Sequence, residues 1–288
     1  MLQVARLAPK LLGEASELVV AFLRSQMNDD GGFQDRGGAS DLYYSVFGLE
    51  GLLALQADLP TARILGYLRT IGQGESLDFI HLSCLARCWA GLPADVRREA
   101  PAAAILARVE TFRSADGAYD VAAAAKHGSL YGCFLALGAY EDLGVPVPDP
   151  GAMLRCADSL RTPDGGYAND LGLPLGLTPS TAAAATLIRH LGQQPPAEVA
   201  DWLLARCHPD GGFFATPDAP IPDLLSTATA LHALVGMHAD LGRVKEPCID
   251  YIDTLWTSRG AFYGSWSDDL ADCEYTYYGL LALGHLSL

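Results

Sequence analysis

Basic residues are scarce in this chain: 19 lysines and arginines stand against 34 aspartates and glutamates, giving a net charge of −15. A surface of that sign repels a phosphate backbone, which argues against nucleic acid as a partner, and disfavours an anionic membrane surface for the same reason. The seven cysteines (Cys84, Cys88, Cys133, Cys156, Cys207, Cys248 and Cys273) include no Cys-x-x-Cys pair, so neither a zinc ribbon nor a dithiol redox motif is expected. Most lie on apolar helical faces, where a free thiol behaves as a small hydrophobe, and the expected home is the cytoplasm. No apolar run is long enough to span a bilayer. Residues 2–24 mix Arg6, Lys10, Glu14 and Glu17 with leucine and valine, the pattern of an amphipathic helix rather than a secretory signal. No Ser/Gly tract, charge block or low-complexity segment divides the chain, so residues 1–288 read as one domain.

What the chain does have is a repeat. A turn of the form Asp-Gly-small-aromatic recurs at Asp30-Gly31-Gly32-Phe33, Asp116-Gly117-Ala118-Tyr119, Asp164-Gly165-Gly166-Tyr167 and Asp210-Gly211-Gly212-Phe213, with a weaker copy at Arg259-Gly260-Ala261-Phe262. The later copies start 48, 46 and 49 residues apart, and the first gap, of 86, leaves room for a degenerate copy near Gly72-Gln73-Gly74. Six units then fill the chain. Apolar residues at three- and four-residue spacing predict a helix before each turn, at 14–26, 102–113, 153–161, 197–207 and 249–257. A second set is predicted after the turns, at 42–55, 80–90, 130–143, 181–191, 227–239 and 275–286. The second set is apolar nearly all round, as in Ala182-Ala183-Ala184-Ala185, and such helices are buried on every side. Six buried and six half-exposed helices fit two concentric rings. An open solenoid would need polar capping repeats, and the apolar stretch Leu283-Gly284-His285-Leu286-Ser287-Leu288 argues for closure. The expected fold is therefore all-α, a closed (α/α)6 toroid.

The repeated Asp-Gly-Gly-Phe/Tyr turn between helices resembles the prenyltransferase and squalene oxidase repeat, found in protein prenyltransferase β subunits and class II terpene cyclases. That resemblance implies working residues in the loops that open the inner helices. It also implies an isoprenoid or similar lipid ligand in an apolar central cavity with an acidic mouth, transfer or cyclisation of a prenyl chain, and a helical partner subunit. The chain departs from the pattern in places. The zinc ligands of the prenyltransferases map onto Asp223, Leu225 and Tyr275, so two of three are missing and a tight tetrahedral zinc site is not expected. No basic residue lies between Phe213 and Pro220, where the resemblance places cations for a diphosphate. In Asp223-Leu224-Leu225-Ser226-Thr227-Ala228, Leu225 replaces the proton-donating aspartate of the cyclases, and leucine cannot act as an acid. These losses keep a second reading open, a non-catalytic toroid serving as a protein- or lipid-binding scaffold.

Asp41, Asp78, Asp223 and Asp272 each precede an inner helix and suit an N-cap, worth ~1 kcal/mol apiece. Ring closure would also gather Asp223, Asp268, Asp269, Asp272 and Glu274 near Asp41. Crowded carboxylates share a proton and act as an acid, or bind Mg²⁺ through oxygen. Asp223, Asp272, Glu274 and Tyr275 are the candidate catalytic residues on this reading. Tyr43, Tyr44, Phe47, Tyr131 and Tyr278 are candidates to line a hydrocarbon site and to steady a cation with their ring faces, the alternative being core packing. His81 and His127, with Arg36 nearby, are candidates to hold a polar group, and Asp41 completes the substrate-binding set. Cys273 is the one cysteine in a mouth loop, and the acidic neighbours Asp272 and Glu274 should make its thiol unreactive.

Overall fold

The computed structural model describes all 288 residues, and twelve helices alternate between two layers. The outer helices are α1 (Ser16–Ser25), α3 (Thr61–Ile71), α5 (Ala102–Val109), α7 (Pro150–Ser159), α9 (Glu198–Leu204) and α11 (Lys245–Thr254). The inner ones are α2 (Leu42–Ala54), α4 (Phe79–Ala90), α6 (Leu130–Asp142), α8 (Thr178–His190), α10 (Leu224–Gly236) and α12 (Cys273–Leu286). Each inner helix packs against the next, α2 to α4 and onward to α12, and α12 packs back against α2. That last contact closes the ring of an α/α toroid. Strand structure is limited to the antiparallel pair Phe33–Gln34 and Ser40–Asp41.

Sequence sets the two layers apart. The outer α1 buries Val19, Phe22 and Leu23, a single stripe at the helical period, while α12 buries all of its residues except Tyr275 and Tyr278. One continuous apolar core runs from Ala5 to Leu286.

The repeated turn locks each outer helix to its inner partner. Its second residue takes a left-handed backbone, with φ of +92° at Gly31, +87° at Gly117, +91° at Gly165 and Gly211, and +83° at Gly260. Glycine is required twice over at Gly31 and Gly211, because a Cβ would also run into the carbonyl of Arg63 or Pro247 in the following repeat. The turn aromatics Phe33, Tyr119, Tyr167, Phe213 and Phe262 are all buried. Four of them hand their backbone N–H to a hydroxyl on the inner helix: Phe33 to Ser45, Tyr167 to Thr181 and Phe213 to Thr227, each at 2.9 Å, and Phe262 to Thr276 at 3.5 Å. An N–H buried there without a partner would cost about 1–3 kcal/mol.

Two expectations needed correction. The amphipathic stretch 2–24 is not one helix: Pro9 and Gly13 divide it into Leu2–Ala5, Pro9–Leu12, a 3-10 turn and α1. Inner helices α8 and α10 begin three residues earlier than the periodicity predicts. Pro179 sits in the first turn of α8, where a missing N–H costs nothing, and Asp223 caps α10 through Ser226 N at 2.7 Å. The sixth outer helix, to which the periodicity assigned no bounds, is α3 in the second repeat, and it ends at Gly72.

Candidate functional site

The inner helices run parallel, so their N-termini share one end of the toroid. Asp41, Asp78, Ser129, Asp223 and Asp272 accept backbone N–H bonds there as N-caps. The following repeat braces three of these starts: Tyr131 N–H donates to Asn169 Oδ1 at 2.9 Å, Thr178 N–H to the Ala215 carbonyl at 2.9 Å, and Leu224 N–H to the Gly264 carbonyl at 2.8 Å.

Several carboxylates gather at this end, and most of them pair with basic or hydroxyl groups. Arg36 reaches across the ring closure and donates to Asp268 and Asp272, both at 2.8 Å, with its guanidinium 5.5 Å from the Tyr275 ring centre. Asp223 accepts from the backbone and hydroxyl of Ser226, both at 2.7 Å. His81 is clamped between Asp78 at 2.8 Å and Asp41 at 3.2 Å. Asp269 is exposed. Burial lifts Asp223 and Asp272 above the usual carboxylate range, although Arg36 opposes the rise at Asp272. Burial would lower the His81 imidazole, but the two aspartates outweigh it and raise its pKa. Cys273 is buried, which pushes its thiol well up.

Glu274 is different. It is 9 % exposed and accepts a hydrogen bond from the Tyr43 hydroxyl at 2.5 Å. Burial, more than the charge of Asp272, pushes its carboxyl up to about 7, so Glu274 exchanges protons near neutrality. The Tyr43 phenol is raised in turn, by burial first and then by neighbours that include Glu274.

A cavity of about 380 Å³ runs down the axis between the inner helices. Its walls follow the helical period: Tyr43, Val46 and Phe47 from α2, Ile80, Ser83 and Cys84 from α4, and Tyr131, Phe134, Leu135 and Gly138 from α6. The other side is made by Pro179, Ala182, Ala183 and Thr186 of α8, Leu225 and Thr229 of α10, and Tyr277 and Tyr278 of α12. An aromatic cluster occupies its N-terminal end. Phe47 lies 5.0 Å from Tyr43 and 5.5 Å from Tyr278 between ring centres, and Tyr275 lies 6.4 Å from Tyr278.

Of the residues singled out from sequence, Tyr43, Phe47, Tyr131 and Tyr278 reach the cavity. Asp41, Tyr44, His81, Asp223, Asp272, Glu274 and Tyr275 surround its N-terminal end without lining it, and Glu274 connects to it through Tyr43. His127 lies apart, in a surface hollow with Lys126, Asp120 and Asp170, 3.6 Å from Asp116. The donor set does not suit zinc: Asp223 is committed to Ser226, Leu225 has no donor atom, and Tyr275 packs under Arg36. Arg36 spans the two aspartates best placed for Mg²⁺, and no three His, Cys, Asp or Glu side chains converge as metal ligands.

Sequence reasoning missed the opposite end of the cavity. Glu50, Arg87, Glu141, Asp142, His190 and His232 line it at the C-termini of the inner helices, and Met1 lies beside them. The available signal was a lone charge at wall phase in an otherwise apolar helix: Glu50 follows Phe47 by three residues, and Arg87 follows Cys84 by three.

Fold and cavity together define an α/α toroid with an axial cavity. The chain belongs to the prenyltransferase alpha-alpha toroid domain family, whose pattern it matches over residues 12–83 and 177–287. Among solved structures it is similar to the type II terpene cyclase MstE of Scytonema in complex with geranylgeranyl dihydroxybenzoate, at 15% identity and TM-score 0.62, with 97% of each chain covered. It is also similar to Candida albicans protein geranylgeranyltransferase-I complexed with GGPP, at 14% identity and TM-score 0.52, covering 99% of this chain and 81% of that one. A polysaccharide lyase shares the fold as well, at 12% identity and TM-score 0.59, with 97% of both chains covered. At such identities the likeness concerns the fold alone. No curated protein matches the chain in sequence. No helix is long and apolar enough to cross a membrane.

Proposed function

We propose that the protein holds the hydrocarbon chain of an isoprenoid or similar lipid in the axial cavity, with Glu274 and Tyr43 as a proton-transfer pair at its N-terminal end. The wall carries this reading: Val46, Phe47, Ile80, Phe134, Leu135 and Leu225 offer a hydrocarbon few polar atoms along the shaft. Burying a chain there contributes about 0.8 kcal/mol per methylene. A volume of about 380 Å³ suits a small ligand. Two toroid neighbours, solved in complex with geranylgeranyl dihydroxybenzoate and with GGPP, support the same ligand class, whereas the lyase cautions against arguing from fold alone.

An uncharged prenyl compound fits better than a diphosphate. Arg36 and His81, basic groups nearest the aromatic end, are both held by aspartates. A diphosphate would have to displace those carboxylates in a protein that is already acidic. Proton transfer has a route along that hydrogen bond: Tyr43 passes its hydroxyl proton to Glu274 as the Tyr43 oxygen takes a proton from a group in the cavity, leaving Glu274 protonated and Tyr43 neutral. The same commitment of cations favours a second reading, a binding scaffold without chemistry.

Calorimetric titration with geranylgeraniol and with geranylgeranyl diphosphate tests the proposal. Saturable binding of the alcohol, tighter than that of the diphosphate, is expected. No binding of either would overturn it. Turnover of a bound prenyl compound that is lost in Glu274→Gln separates the enzyme from the scaffold.

A further inference from the structure

The polar end of the cavity has no part in the function as proposed so far, and its chemistry is specific. Arg87 donates its Nε–H to Glu50 Oε1 at 2.6 Å, its single side-chain hydrogen bond, and both residues line the cavity. The terminal nitrogens of its guanidinium are left without a protein partner. Tyr277 is 1 % exposed and also lines the cavity, and its buried hydroxyl lies near the Glu50 carboxylate without a hydrogen bond of good geometry. Asp142 faces the same space with no side-chain hydrogen bond, and burial pushes its carboxyl up to about 6 despite the pull of Arg87. His232 closes the group, its Nδ1 3.0 Å from Nε2 of the buried His285. Burial drives this pair down to about 2 for His232 and about 4 for His285, so both rings are neutral at physiological pH. Beyond them, His190 pairs with Glu141 at 2.9 Å.

A buried hydroxyl without a well-placed partner is costly unless something completes it, and the part-exposed Arg87 guanidinium presents free donors beside it. The group that completes them must accept hydrogen bonds from Arg87 and donate to Asp142 or Tyr277. A neutral group fits best, because Glu50 already balances Arg87, burial lowers the pKa of the Met1 amine beside them, and Asp142 and Glu141 would repel an anion. A hydroxyl meets all three conditions, since it both donates and accepts. We infer that the C-terminal end of the axial cavity is a head-group subsite, formed by Arg87, Asp142, Tyr277 and His232, that recognises the hydroxyl of a prenyl or similar lipid alcohol whose chain fills the apolar shaft. This inference rests on the axial cavity being the lipid site and adds the identity and orientation of the head group.

The experiment compares three probes by calorimetric titration: geranylgeraniol, the matching hydrocarbon without the hydroxyl, and geranylgeranoic acid. Wild-type protein should bind the alcohol at least about 10-fold more tightly than the other two. Tyr277→Phe and Asp142→Leu should each weaken the alcohol about 5- to 10-fold and change the hydrocarbon less than about 2-fold. Asp142→Leu removes no protein hydrogen bond and Tyr277→Phe removes only the weak contact of its hydroxyl with Glu50, so both variants should fold. Equal binding of alcohol and hydrocarbon, or tighter binding of the acid, overturns the subsite while leaving the lipid cavity in place. Loss of the hydroxyl preference in Tyr43→Phe but not in Tyr277→Phe overturns the orientation, because the head group would then lie at the aromatic end. Failure of all three probes to bind removes the lipid cavity itself, and the subsite with it.

Discussion

Gly138 offers a clean test because it separates stability from binding. It lies in the middle of α6, lines the cavity, and a Cβ built on it meets no atom within 4 Å. Its backbone is ordinary helix, so a side chain there points into empty space without strain. Gly138→Leu should therefore stabilise the fold. Glycine in a helix interior costs about 0.8–1 kcal/mol relative to a good helix former, and the new side chain adds apolar contacts with the cavity wall. The same side chain occupies room that a prenyl chain needs. Displacing about three methylenes would cost about 2.4 kcal/mol, or roughly 60-fold in Kd for geranylgeraniol. Urea unfolding and calorimetric titration of the one variant provide both numbers. A stabilised protein that still binds with parental affinity would refute the placement of the chain in the shaft. Destabilisation would instead refute the open space seen beside Gly138.

Two further outcomes follow from the geometry. Glu274 ionises at about 7 in the fold against its ordinary 4.5, so the folded state prefers the protonated acid. That contribution is complete below the ordinary value and is lost as pH rises through 7, a difference of about 3 kcal/mol at pH 8. Glu274→Gln keeps an acceptor for Tyr43 and should exceed the parent in stability by about 2–3 kcal/mol at pH 8 but by little at pH 5. Equal urea midpoints of the two proteins at pH 8 would show that burial does not raise the Glu274 pKa. Thr227→Val leaves the Phe213 N–H buried without its hydroxyl and should cost about 1–3 kcal/mol, whereas Thr227→Ser should stay near the parent. A loss in Thr227→Ser with none in Thr227→Val would assign the role to the methyl group rather than to the hydrogen bond.

The architecture was readable because its punctuation is chemical. Left-handed glycines such as Gly165 and Gly211 recur with a buried aromatic two residues on, and no other residue satisfies those turns. Where that punctuation weakens, so did the reading. The second repeat has Gly72-Gln73-Gly74 without an aromatic, and its outer helix α3 carries Thr61, Arg63, Arg69 and Thr70 among few buried positions. The site was less readable because helical spacing does not tell a residue facing the axis from one facing the neighbouring helix. Tyr43 and Tyr44 look alike in sequence, yet only Tyr43 reaches the cavity. Arg36 changes the meaning of Asp268 and Asp272, and it lies more than 200 residues away, brought there only by closure of the ring. Emphasis on helix N-termini also drew attention away from Glu50, Arg87 and Asp142, which lie at the opposite ends of the same helices.

The most direct test of the central claim is to find the chain itself. A geranylgeraniol analogue carrying a diazirine midway along its prenyl chain would be photolysed in the presence of the protein and the adducts mapped by mass spectrometry. Binding in the axial shaft predicts adducts on wall residues of the inner helices, among them Phe47, Ile80, Phe134, Leu135 and Leu225, suppressed by unlabelled geranylgeraniol and by Gly138→Leu. Adducts confined to the outer helices, or wall adducts that unlabelled alcohol does not suppress, would contradict it.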